Sequence, residues 1–132
     1  MTDTSQLTAA QVREVEKYRQ ERVLTAPPQV LISMLLDRAI VDLERAIDEP
    51  APLARSELIR HAQDIVLELR CSLDLSHGDL AHNLDELYAY VERQCLDAFL
   101  MRSIEPLAPA RTVLTDIREG WQTLLQPTPQ PQ

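Results

Sequence analysis

Glycine is almost missing from this chain, with 2 residues in 132, and aromatic side chains make up only 4% of it. Two glycines leave no room for a glycine-rich loop that cradles phosphates. A β-sheet would call for more aromatics, β-branched residues and glycine turns than this composition holds. Positive charge is short as well: 13 Lys and Arg stand against 21 Asp and Glu, for a formal net charge of -8. With no local basic patch to offset that balance, a nucleic-acid backbone or an anionic membrane surface is repelled. No apolar run reaches the roughly 18 residues that argue for a transmembrane helix. The polar opening MTDTSQLT also lacks the basic-then-apolar layout of a signal peptide, so the expectation is a cytoplasmic protein. Cys71 and Cys95 stand alone, without CxxC or CxxCH spacing, and in a reducing compartment they are free thiols.

What the chain does contain is helix-period apolar residues, 45% hydrophobic overall, punctuated by 9 prolines. The residue before a proline is pushed out of the α region, so Ala26 and Pro27 read as extended, and Pro28 suits a first helical position. From there Val30, Leu31, Met34, Leu35, Ala39, Leu43, Ala46 and Ile47 recur at three- and four-residue steps, and Ile32, Leu36, Ile40 and Val41 widen the stripe beyond one seam. The helix ends in the Asp48 to Pro52 segment with its proline pair. A second helix carries Leu58, Ala62, Ile65 and Leu69, flanked by the line Ile59, Val66 and Leu73. Ser72 to Gly78 breaks the period, and Ser76 or Asp79 is available to cap a third helix with Leu80, Leu84, Leu87, Val91, Cys95 and Ala98. Ser103 to Pro109 connects to a fourth, with Leu107, Ala110, Leu114, Ile117, Trp121 and Leu124.

Before these helices, Thr8 to Gln11 reads as a capping box. The short helix it starts has few anchors beyond Val15 and Tyr18, too few to dock firmly. The predicted fold class is all-α: an antiparallel up-down-up-down four-helix bundle with a short N-terminal helical arm and a disordered C-terminal tail. The expected organisation is one domain over 1–126, with the arm at 1–26, the bundle at 27–126 and the proline-rich tail at 127–132.

Bundles often hold metal, but the glutamate and Glu-x-x-His pattern of di-iron proteins is absent; Asp79-x-x-His82 and Glu57 with His61 do not supply it. No metal or cofactor is expected, and His61, His77 and His82 read as surface or capping residues. A histidine phosphotransfer module is the alternative, with His61 as its phosphorylated residue. The segment His61-Ala62-Gln63-Asp64, however, puts a carboxylate where a phosphoryl group wants a cation. Neither cysteine has a His or cation nearby in sequence to form a thiolate. No catalytic set emerges, and an enzyme is not expected.

The order Tyr18, Val23, Thr25-Ala26, Pro28, Leu31, Met34-Leu35, Asp37 and Ala39, followed by Asn83-Leu84, Leu87-Tyr88, Tyr90, Arg93, Ala98 and finally Trp121, resembles the flagellar secretion chaperone family FliS. The likeness spans nearly the whole chain. It departs from the family pattern at Glu21, at Pro27 in place of the usual capping Ser or Thr, at Leu36 in place of an aromatic and at Arg38 in place of glycine. Losing the cap costs the helix start about 1 kcal/mol.

The resemblance implies a protein that binds the C-terminal segment of flagellin, prevents its premature polymerisation and assists delivery to the flagellar type III export gate. It implies a monomer or homodimer when free. On this reading the flagellin groove is expected at Leu31, Leu35, Leu36, Asp37, Ile59, Ala62, Ile65, Leu84, Tyr88 and Val91. Val15 and Tyr18 are expected to cover part of it and move aside when the client arrives.

Overall fold

A computed structural model describes residues 28–125, and these form four long helices with one short 3-10 turn: α1 (Pro28–Asp48), α2 (Pro52–Cys71), the 3-10 turn (Leu75–His77), α3 (Asp79–Met101) and α4 (Leu107–Leu125). The expected arm, its anchors Val15 and Tyr18, Pro27 and the tail lie outside the described residues. Ile32 onward groups into one compact unit, apart from the residues up to Leu31.

Proline sets two of the helix starts as the sequence suggests. Pro28 opens α1. Ala51, extended at φ -81 and ψ 121, hands over to Pro52 at the head of α2 with no side-chain cap, as the clash between a proline ring and the preceding residue dictates.

Three expectations are corrected. Neither Ser76 nor Asp79 caps α3: the cap position is Gly78, whose φ of 92 lies in a region that only glycine enters freely, while Asp79 is already the first helical residue. Asp74 instead organises the preceding turn, accepting from the Ser76 amide at 3.0 Å and the Ser76 hydroxyl at 2.5 Å. Leu73 does not extend α2, which ends at Cys71; it packs on the core from the loop. Pro109 lies inside α4 rather than before it, and a proline in the first helical turn removes only a donor that has no intrahelical acceptor.

The helices alternate in direction. Across α3 and α4 one hollow is lined by Leu80, Leu84 and Leu87 together with Val113, Ile117 and Trp121, so later residues of one helix meet earlier residues of the other. Arg70 near the end of α2 reaches Asp85 near the start of α3 at 2.6 Å, and Glu92 at 3.4 Å. Short connections between packed helices produce this antiparallel order. Polar contacts close the ring: Asp42 of α1 meets His61 of α2, and Asp37 of α1 accepts from Arg118 of α4 at 3.0 Å.

The core is a single cluster built from all four helices, including Leu36, Leu43, Ile59, Val66, Leu69, Val91, Leu107 and Leu114. Tyr88 and Cys95 are buried within it. Burial pushes both side chains up to about 12, with the Glu92 charge adding to the effect at Cys95, because a low-dielectric site disfavours the anion. Both folded values lie above the ordinary ones, 10.0 for Tyr and 9.0 for Cys. Their contribution to stability is therefore complete below those values and is lost as pH rises from there towards 12. Urea midpoints should fall across that alkaline window. A neutral thiol reagent should label the exposed Cys71 in the native protein and Cys95 only after unfolding; equal labelling rates would contradict the packing.

Candidate functional site: an apolar trough between α3 and α4

The third and fourth helices leave a hollow of about 370 Å³ between them, lined by Leu80, Leu84, Leu87, Val113, Asp116, Ile117, Gly120 and Trp121. The sequence places these side chains together through helical spacing: 80, 84 and 87 fall on one stripe of α3, and 113, 117, 120 and 121 on the facing stripe of α4. Leu80 is 60% exposed and Leu87 40%, which leaves an apolar surface open to solvent. Gly120 contributes width, since nothing lies within 4 Å of where its Cβ would stand. Asp116 is the one charged residue of the lining.

A second hollow of about 230 Å³ adjoins the first, sharing Leu80, Leu84 and Trp121 with it and adding Ile32, Leu69, Leu73, Ala81 and Tyr88, with Ser72 and Asp74 at its polar side. Together they form a trough along α3 and α4 and around the end of the bundle where α2 finishes and α3 begins.

The residues expected to line a groove separate into groups. Leu84 lines both hollows, and Tyr88, 3% exposed, lies at the floor of the second. Leu36, Ile59, Ala62, Ile65 and Val91 are core residues, with Ile59 also at the edge of a separate hollow between α2 and α3. Leu35 is partly buried against the core, and Leu31 is partly buried at the opening of α1. Asp37 pairs with Arg118 of α4. Leu80, Leu87, Val113, Asp116, Ile117, Gly120 and Trp121 line the hollow without belonging to the expected groove. Leu80, Leu87, Ile117 and Trp121 stand on the apolar periods of their helices, but a period assigns a face, not a depth along the bundle, and Val113, Asp116 and Gly120 lie off the stripe read for the fourth helix.

His61 also differs from expectation. It reads in sequence as a histidine without a convergent carboxylate, yet its Nδ1 meets Oδ2 of Asp42, the one fully buried charged residue among those described. An ionised carboxylate only accepts, so Nδ1 carries the proton and donates. Arg38 lies 3.4 Å from the other Asp42 oxygen. Among the described residues no group of three or more His, Cys, Asp or Glu is placed to hold a metal ion, and no helix is long and apolar enough to cross a membrane.

Fold and trough define an all-α four-helix bundle with an apolar surface channel. The family model described as flagellar protein FliS matches residues 10–128. The chain is 33% identical over 107 residues to the flagellar secretion chaperone FliS of Salmonella typhimurium, covering 77% of this chain and 79% of that one. It is 30% identical over 112 residues to the protein of the same name from Escherichia coli, covering 80% and 82%. To the one from Bacillus subtilis it is 27% identical over 112 residues, covering 83% and 84%. The chain belongs to the FliS family of flagellar secretion chaperones.

Proposed function

We propose that this protein is a cytoplasmic chaperone for flagellin, binding the C-terminal segment of its client in the trough, keeping it from polymerising early and assisting its delivery to the flagellar export gate. The observation that carries the reading is the trough itself: an open apolar channel on a member of a secretion-chaperone family. An amphipathic client helix laid along it buries Leu80, Leu84 and Leu87 on one side and Val113, Ile117 and Trp121 on the other, a helix-in-groove mode in which apolar anchors supply affinity and the client's ordering limits it. The core residues Leu36, Ile59, Ala62, Ile65 and Val91 then act by holding the walls of the trough in place, and Asp37 by tying α1 to α4.

Calorimetry of the full chain with a C-terminal flagellin peptide tests this. Binding with a negative heat-capacity change is the expected result, because apolar surface leaves water. Leu84→Asp should leave the bundle folded by circular dichroism and weaken the peptide about tenfold to a hundredfold, the worth of one well-buried leucine. No heat with the parent protein, or an unchanged affinity in the variant, counts against the trough as the client site.

A further inference from the structure

At the opposite end of the bundle, where α2 begins and α3 ends, lies another hollow, about 580 Å³, lined by apolar residues together with Arg55, Ser56 and Arg102. Three features set it apart from the client trough. Its apolar side chains are among the most exposed in the described protein: Leu53 at 83%, Leu100 at 66% and Phe99 at 48%. Its charged lining is cationic, Arg55 and Arg102 with no carboxylate, on a chain whose net charge is -8; the trough carries Asp116 instead. Finally, Arg102 is held at φ 52 and ψ 44, the one non-glycine residue with positive φ among those described.

That last feature has an energetic meaning. A helix that ends in the left-handed region normally places glycine there, because a Cβ is crowded in that conformation. Strain kept at an exposed helix end, beside an open apolar surface, is the pattern found at sites selected for a contact rather than for stability.

We propose that this end of the bundle is a docking surface for an acidic amphipathic helix of a second protein, distinct from the client: Leu53, Phe99 and Leu100 receive its apolar face, and Arg55 and Arg102 its carboxylates. Charge selects this occupant over the others. A second copy of this chain, docked about a two-fold axis, sets Arg55 and Arg102 against themselves. The QPTPQPQ segment has no acidic side chain and no helix-period apolar face, and residues 1–27 hold as many basic as acidic side chains. The start of α2 positions one of the two cations. Glu49 already holds that end: its carboxylate accepts from the Ala51 amide at 3.1 Å and its carbonyl from Arg55 Nε at 3.2 Å, which fixes the Arg55 side chain at the hollow and leaves the outer guanidinium nitrogens for a partner's carboxylate.

The test uses the full chain and a fluorescent helical peptide with Leu and Phe on one face flanked by Glu, beside a twin in which Lys replaces Glu. The Glu peptide should bind and weaken as salt is raised, and the Lys twin should bind at least about tenfold more weakly. Arg102→Gly is the decisive variant, because it relaxes the backbone while removing the guanidinium. Its melting temperature should hold or rise while its affinity for the Glu peptide falls about tenfold, the scale of one charge-assisted contact.

Equal binding of both peptides, binding of neither, or no effect of Arg102→Gly overturns the proposal. So does sedimentation showing a dimer that Leu100→Asp dissociates, which assigns the surface to a second copy. The C-terminal flagellin peptide should bind Arg102→Gly as it binds the parent, and a matching loss there makes this end part of the client site. The Glu-peptide titration reads out whether or not flagellin binds at the trough, so the two proposals fail separately.

Discussion

His61→Leu should destabilise the protein by about 2 to 3 kcal/mol, the cost of leaving a buried acceptor without its donor. The reason is Asp42. Its side chain is 1% exposed, so its carboxylate has no water to fall back on, and Oδ2 relies on the His61 ring. Leucine keeps an apolar cover over the site while offering no donor, which leaves the charge facing a hydrocarbon. The loss stays at the low end because Arg38 remains 3.4 Å from Oδ1. His61→Ala should cost less, since His61 is itself half exposed at 51% and the smaller side chain admits water to Oδ2.

The double variant Asp42→Leu/His61→Leu should recover most of the stability, because an apolar pair in the same space has no desolvation to offset. Urea unfolding of Asp42→Leu, His61→Leu and the double variant closes the cycle and gives the coupling. A His61→Leu change below about 1 kcal/mol would show that the contact contributes no more than an ordinary solvent-exchanged hydrogen bond.

Leu36→Ala should cost about 3 to 4 kcal/mol, as for other large-to-small changes at sealed core sites. Leu36 is 0% exposed and packs in the cluster shared by all four helices; removing its branched end leaves a cavity that rigid helices close only in part. The same truncation at Leu80, 60% exposed in the trough, should change stability by no more than about 0.5 kcal/mol, as surface substitutions do. Peptide titrations on the two variants should show the complementary pattern, with Leu80→Ala weakening the flagellin peptide and Leu36→Ala, measured below its unfolding transition, leaving it near the parent value. If Leu36→Ala is instead well tolerated and weakens the peptide, that position belongs to the groove.

The family could be read from the text of the chain because its signature is contiguous: Thr25-Ala26 before Pro28, then Leu31, Met34-Leu35 and Asp37, all within 13 residues of sequence. The four helices were legible for a similar reason. Proline at 28 and 52 and the irregular Ser72 to Gly78 segment act on their nearest neighbours, and the three- and four-residue recurrence of apolar residues is a property of one helix at a time. Cap choice was less legible: Ser76 and Asp79 have the chemistry for the α3 start, yet the turn built by Asp74 places Gly78 there.

The site divides along the same line. Sequence determined which residues share a face: Leu84, Tyr88 and Val91 lie on one stripe of α3 by spacing alone. Only the tertiary structure decided that Leu84 lines open hollows while Val91, two turns on, is sealed at 0% exposure. Depth depends on how closely α4 and α2 approach at each level, and no spacing within α3 encodes that. The polar links are the extreme case. Asp42 and His61 are 19 residues apart, Asp37 and Arg118 are 81 apart, and each pair exists because packing the apolar stripes brings the helices to one register. Local periodicity settled the fold of this protein, and the non-local meeting of its helices settled which apolar residues remain for a partner.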